Sequence, residues 1–392
     1  MTSDTVISWG IILLMRSSKT LFKSHAKDSP VARAFSRWFP TPQLLVPRSA
    51  GIDISDASIK WIVIIPHTEG KRVLSLGSQA LAPGIVVEGT IRDESALVQA
   101  LKQVRSALGP ISCAHAALPE EAAFVFNMHV PEKSEREQIL RMIEFELDGR
   151  VPISPVDAVY DFNIIAEHDD GAGEEIGVVV FPRELAESYV RVFDGAEIEL
   201  LSLEVEARSI ARAISSDRAE EPITLSVDFG LERTGFAVLK HGIPIFTSTV
   251  AVGGNPISRA LMETLSISDV KAKEFKNEEG LLPKDGAKSA GTDIIAKTAS
   301  ALADEVAKHY RYWDTRRNDK GERVTPVEKV LLVGGNANIK GLADYIAERV
   351  QAPTERPNVW QNVCTFEEYI PPIDRRESLQ FATAIGLALR GV

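Results

Sequence analysis

The sequence predicts an α/β protein of two lobes, each opening on a β-hairpin, with a small α/β subdomain inserted in the first lobe. Three observations predict it. Gly51-Ile-Asp-Ile-Ser and Val227-Asp-Phe-Gly230 each start a hairpin with an acidic residue near its turn, which reads as an internal duplication. Between them, a capped helix and its own apolar strands interrupt the first lobe. The 392 residues, 44% hydrophobic and 25% charged, exceed what one core comfortably fills.

In chain order, residues 1–48 carry seven Lys or Arg against two Asp, in a chain of net charge −11. A basic leader thus precedes an acidic body, and that acidity argues against nucleic acid as the main partner. The leader's apolar run, residues 6–15, is about half of the roughly 20 residues that span a bilayer. Its cations follow that run, the reverse of a signal peptide. Two readings stay open. Residues 1–45 are an interfacial segment, with Phe22, Phe35, Trp38 and Phe39 among cations that contact a membrane surface, or they are a poorly ordered extension. Pro40, Pro42 and Pro47 mark a linker.

The first lobe, 49–222, opens with Gly51–Lys60 running into Trp61–Ile65, and Arg72–Leu76 adds a third strand. Leu97, Leu101, Val104 and Leu108 share one face of a helix over 93–108. Ala114–Leu118 and Ala123–Phe126 read as short strands. The subdomain, at about 130–200, opens with Ser134-Glu-Arg-Glu137, which has the form of a capping box. Ile139, Leu140, Ile143 and Leu147 then face inward. Strands over 158–165 and 176–181 flank an acidic turn at 168–175, and a helix over 184–193 and a strand over 198–203 follow. A helix from Glu206 to Ile214 leads out.

The second lobe, 223–377, repeats the meander with 225–230, 234–239 and 243–247. Its own subdomain, at about 256–328, holds helices over 256–265 and 292–313. Val330–Val333 is a buried strand, Gly334-Gly335 a turn, and 341–350 a helix. Residues 378–392 form a closing helix back to the first lobe. Its small residues Ala382, Ala384, Gly386 and Ala388 suit close packing. The two cysteines, Cys113 and Cys364, sit in no CxxC pair, which fits a reducing compartment without structural zinc.

Hairpin turns present backbone N–H groups that phosphates can approach. Two facing turns clamp a triphosphate from both sides, and an Asp at each holds Mg²⁺ through water, so Asp53 and Asp228 are the metal candidates. Lys60 reaches a phosphate as a point charge, and the Gly334-Gly335 amides open a helix. Taken singly, an Asp in a hairpin or a Gly-Gly before a helix is commonly just structural. The ordered set is what carries the reading.

That ordered set resembles the actin-like ATPase superfamily, with its duplicated ribonuclease-H-like domains. Gly51–Lys60 and Val227–Val238 resemble its two phosphate loops, Val330–Gly341 its adenosine motif and Ser378–Gly391 its second connecting helix. Narrower stretches resemble the PilM family of type IV pilus assembly: Val252-Gly-Gly-Asn-Pro-Ile-Ser258 followed by Leu265-Ser-Ile-Ser, Phe181–Ala207, and Glu137–Tyr160. The resemblance covers about 49–392 and not the leader. It implies an ATP- and Mg²⁺-binding scaffold, cytoplasmic and peripheral to the inner membrane. The scaffold docks the N-terminal peptide of a PilN-like membrane protein beside the inserted subdomain and links it to pilus motor ATPase components, with self-association as a further property. Carried onto this sequence, the nucleotide ligands are Asp53, Ser55, Asp56, Ser58, Lys60, Asp228, Gly230, Thr234, Gly253, Gly254, Lys276, Gly334, Gly335 and Asn336.

Two departures bear on that expectation. Ser55 stands where the family has Gly, and Lys273 stands where it has a nucleoside-binding Glu. A Lys cannot accept the ribose hydroxyls' hydrogen bonds. Hydrolysis needs a group that orients water. Glu204 and Glu206, between the lobes, are either that group or structural acids at a hinge. Activity is therefore at most slow ATP hydrolysis. The alternatives are an FtsA-like cell-division scaffold, a degenerate secretion scaffold that binds no nucleotide, and a small-molecule kinase of the same fold.

Overall fold

A computed structural model describes residues 47–392 apart from 69, 168–172, 217–220, 283–288, 318–322 and 324. The leader, and most of the expected acidic turn at 168–175, lie outside the described residues.

The first meander is β1 (Ser49–Ile54), β2 (Ser58–His67) and β3 (Gly70–Ala80), followed by a small ribbon of β4 (Val86–Val87) and β5 (Thr90–Ile91). Helix α1 (Glu94–Ala107) starts where Asp93 accepts the Ala96 N–H at 2.9 Å, and it buries Leu97, Leu101 and Val104 as the spacing predicts. After β6 (Cys113–Leu118) the chain enters a different unit. This holds β7 (Phe124–Val130), α2 (Arg136–Arg150), β8 (Ala158–Glu167) and β9 (Glu174–Pro182). Helix α3 (Arg183–Gly195), β10 (Glu199–Val205) and α4 (Glu206–Ile214) return to the first lobe.

The inserted sheet has the order β7-β9-β8, all antiparallel, and α2 covers it. Its core of Val130, Ile139, Ile143, Leu147, Phe162, Ile176, Val178 and Val180 is separate from the main one. The sheet therefore starts at Phe124, in the stretch where the sequence suggested a short strand of the first lobe. Tyr189, Val192 and Phe193 of α3 belong to the main core instead. The capping box is displaced by one residue: Glu135 and Gln138 exchange the bonds. The Ser134 hydroxyl is already engaged, donating to the Pro131 carbonyl at 2.7 Å.

The second lobe holds β11 (Thr224–Phe229), β12 (Thr234–Lys240), β13 (Ile243–Val250), α5 (Asn255–Leu265), α6 (Asp269–Glu278) and α7 (Ala290–Asp314). It continues with β14 (Lys329–Val333), α8 (Leu342–Val350) and β15 (Thr354–Glu355), and α9 (Arg375–Ser378) and α10 (Ala382–Ala388) close the chain. The two main sheets share one plan, β3-β2-β1-β6-β10 and β13-β12-β11-β14-β15. In each, the first strand is antiparallel to the second and parallel to the fourth position's strand. Asp53 lies opposite Lys60 and Asp228 opposite Gly235, each the penultimate residue of its strand. The duplication is thus one of register as well as of sequence pattern.

Helix α10 passes between β1 and α4 at a distance only glycine permits. A Cβ on Gly51 would come within 2.1 Å of the Ala384 carbonyl, and one on Gly386 within 1.7 Å of the Ser209 carbonyl.

Candidate functional site

The turns at the ends of β1 and β11 face each other across a cavity of about 360 Å³ lined from both lobes. The strand ends put them there. Paired parallel and antiparallel strands deliver their turns to one edge, and ligands gather outside the carboxyl ends of parallel strands.

The first turn is closed on itself. The Ser55 N–H donates to the Ser58 carbonyl at 2.9 Å, and its hydroxyl lies 3.0 Å from that carbonyl. Ser55 thus spends its side chain on the turn. Asp56 accepts the N–H groups of Glu88 and Gly89, both at 3.0 Å. The second turn is tied by Gly230, whose N–H donates to the Arg233 carbonyl at 3.0 Å. Its carbonyl accepts Gly254 N–H at 3.1 Å and Asn336 Nδ2 at 2.8 Å.

Four carboxylates form the floor: Asp53 and Glu206 from the first lobe, Asp228 from the second, and Glu120 from the short helical turn after β6. Lys60 lies 3.8 Å from Asp53. Burial pushes Asp53 up, against the pull of Lys60. Burial and then the Asp53 charge push Asp228 up to about 6. Glu120 and Glu206 are raised well above the usual range, first by burial and then by the neighbouring acids. So much like charge in one place favours a proton or a cation among them. Gly334 has φ of +88°, and a Cβ there would come within 2.3 Å of Asp228 Oδ1. Glycine is needed on both counts.

On the other wall, Lys276 is 5% exposed and donates to Ser258 Oγ at 2.8 Å and Asn336 Oδ1 at 3.0 Å. Burial lowers its pKa to about 8. Around Gly335 the space is open: a Cβ there would meet only Gln380 Cβ, at 3.7 Å. Lys273 lines the same wall.

Asp53, Ser55, Asp56, Ser58, Lys60, Glu206, Asp228, Gly230, Lys276, Gly334, Gly335 and Asn336 all line the cavity. Thr234, Gly253 and Gly254 stand behind the second turn. Thr234 is fully buried and donates to the Val252 carbonyl at 2.6 Å. A Cβ on Gly253 would meet the Leu231 carbonyl at 2.3 Å, and one on Gly254 the Asn336 side chain at 2.1 Å. Glu204 lies elsewhere. Arg212 holds it at 2.5 and 2.8 Å, Arg390 at 2.6 Å and Ser209 at 2.8 Å. Burial alone would raise its pKa, but the two arginines hold it well below the usual range.

Sequence reasoning missed Glu120, Glu121 and Arg233. Arg233 reaches across the cavity from the second turn and pairs with both Asp56 and Glu121. The available signal was Pro119-Glu-Glu121 directly after the β6 run, at the carboxyl end of a parallel strand. A second, smaller concavity of about 40 Å³ lies where the inserted sheet meets β10, α4 and the second lobe's β13. Val125, Asn163 and Val179 line one side, Leu203, Arg208 and Arg390 the other.

The family model for type IV pilus assembly protein PilM matches residues 51–392. No curated protein matches the chain. Among solved structures, a PilM–PilN type IV pilus biogenesis complex superposes with a TM-score of 0.71 at 21% identity, covering 88% of this chain and 99% of that one. The ethanolamine utilization protein EutJ from Carboxydothermus hydrogenoformans gives 0.51 at 18% identity, over 88% and 89%. MreB5 of Spiroplasma citri bound to ADP gives 0.50 at 14% identity, over 87% and 95%. The fold is that of the two-lobed actin-like proteins.

Proposed function

The chain belongs to the PilM family of type IV pilus assembly proteins, and from that premise we propose that it is an ATP-binding scaffold whose interlobe cleft sets the shape of a peptide-docking groove. The observation that carries the reading is the pair of matched turns, with Asp53 and Asp228 in equivalent registers facing one cavity.

The residues fit the nucleotide and its cation. Among the described residues no three His, Cys, Asp or Glu are grouped to hold a metal directly. Asp53 and Asp228 therefore suit a hydrated Mg²⁺, which keeps much of its water. The open approach at Gly335 suits a phosphate or ribose edge, and Lys60 supplies a positive charge at the phosphate end. Lys276 and Asn336 brace the nucleoside wall. Mg·ATP would be held by groups of both lobes, Asp53 and Lys60 from one and Asp228 from the other, and would favour their closed arrangement. Glu206, on the floor, would be the group that orients a water; Glu204 is committed to its arginines. Slow turnover suffices, because a switch needs only different affinities for two arrangements.

The partner is the N-terminal peptide of a PilN-like inner-membrane protein, seated beside the inserted subdomain. The likeness to a PilM–PilN complex supports that partner. Phe145 on α2 and Val156 are 85% and 79% exposed, an apolar surface for pilus motor components or a second copy. The protein then works at the cytoplasmic face of the inner membrane, with residues 1–45 as a supplementary contact. Among the described residues no helix is long and apolar enough to cross a membrane. Fluorescence anisotropy with the labelled N-terminal peptide of a PilN-like protein encoded by a neighbouring gene tests the docking. Saturable binding that tightens or weakens with Mg·ATP is expected. Binding indifferent to nucleotide would remove the switch and leave a plain adaptor.

A further inference from the structure

We propose that Arg233 reads the terminal phosphate of the bound nucleotide and is the residue that distinguishes a nucleoside triphosphate from a diphosphate. The inference rests on the nucleotide reading above and adds to it a specificity residue that lies outside the expected set.

Among the described residues, the lining holds four basic side chains, Lys60, Arg233, Lys273 and Lys276. Lys60 is drawn to Asp53, and Lys276 is engaged with Ser258 and Asn336 on the nucleoside wall. Arg233 alone of the four sits on a phosphate-facing turn and reaches the opposite lobe, pairing with Asp56 of the first turn and with Glu121 after β6. Its backbone is fixed, since its carbonyl accepts the Gly230 N–H at 3.0 Å. Only the side chain need rotate to change partners. Asp56 does not depend on the guanidinium, because two backbone N–H groups already bind its two oxygens. Asp56 and Glu121 both compete for it.

A phosphate is the natural competitor. Guanidinium is a planar fork that matches carboxylate and phosphate oxygens alike, and a doubly charged phosphate outbids a single carboxylate. On the nucleotide reading above, a nucleoside held at the Lys276 wall directs its phosphate chain toward the facing turns, where Arg233 is. A triphosphate extends one phosphate further toward it than a diphosphate does. Arg233 then leaves Glu121, so the same exchange reports the terminal phosphate to the contact between lobes.

The test titrates the full chain with fluorescent mant-ATP and mant-ADP in the presence of Mg²⁺. Arg233→Gln is expected to weaken ATP by about tenfold, the worth of a charge-assisted contact, and to leave ADP affinity unchanged. Retained ADP binding also shows that the variant is folded. Glu121→Gln acts in the opposite sense: it removes one of the guanidinium's two carboxylate partners and raises ATP affinity severalfold with ADP unchanged. An Arg233→Gln protein that keeps the wild-type ATP-to-ADP ratio, or a Glu121→Gln protein that binds ATP more weakly, overturns the assignment alone. Failure of the wild-type chain to bind either nucleotide overturns the nucleotide reading and this one with it.

Discussion

Asp228 carries its charge at a cost, because burial and the nearby Asp53 carboxylate both oppose ionisation and lift its pKa from 3.8 to about 6. The folded state therefore holds a proton there more tightly than the unfolded chain does. Stability falls as pH rises between those two values and stays at the lower level above about 6. Asp228→Asn removes the penalty. Urea denaturation at pH 8 should show the variant more stable by up to about 3 kcal/mol, and the difference should vanish near pH 3.5. A variant less stable than wild type at pH 8 would mean that Asp228 forms a net favourable contact instead. Gly334 has the opposite sensitivity. A side chain there meets Asp228 at 2.3 Å on a backbone of φ +88° and ψ 163°, so Gly334→Ala should cost about 1–3 kcal/mol. Asp53 and Asp228 were legible in the sequence because acids in duplicated hairpins form a repeat. Glu120, Glu121 and Arg233 were not, because each acquires its meaning from a residue more than a hundred positions away or in the other lobe.

At the scale of elements, periodicity and small-residue spacing were the readable signals. Helix α1, the buried stripe of α2 and the close packing of the closing segment's small residues all follow from them. The origin of β7 did not. A short apolar run such as Phe124–Phe126 suits either sheet, and only pairing with β9 assigns it to the inserted one. Over 378–392 the closing segment is a tight turn at Leu379–Phe381, then α10, then a tight turn at Leu389–Gly391, where the sequence suggested one helix. Glu204 fixes that segment: it joins β10 to α4 through Arg212 and to the chain end through Arg390. Glu204→Gln removes the buried carboxylate that Arg212 and Arg390 share and should lower stability by about 3–5 kcal/mol, measured by chemical denaturation at pH 7. Its pKa is lowered in the folded state, so this contribution is present above the ordinary Glu value and is lost as pH falls below it. A Gly386→Val substitution should separate α10 from α4 and cost at least about 1–3 kcal/mol by overpacking. A thermal melt within 1 °C of wild type would contradict that close approach.

For the whole molecule, two sheets of one plan bring equivalent turns to a common cavity, and the inserted subdomain with its separate core lies beside them. Lobe duplication was readable from sequence. The crowding of four acids was not, since it arises only when the lobes face each other. That crowding gives the central claim a clear experimental handle: a hydrated cation relieves the repulsion, and the nucleotide needs the cation. The most direct measurement is isothermal titration of ATP into the purified full chain with and without Mg²⁺, for wild type and Asp228→Asn. The account predicts one site per chain, dependence on Mg²⁺, and affinity at least about tenfold weaker in Asp228→Asn, although that variant is the more stable protein. No binding by wild type up to millimolar ATP, or binding unchanged by Mg²⁺ and by Asp228→Asn, would contradict it.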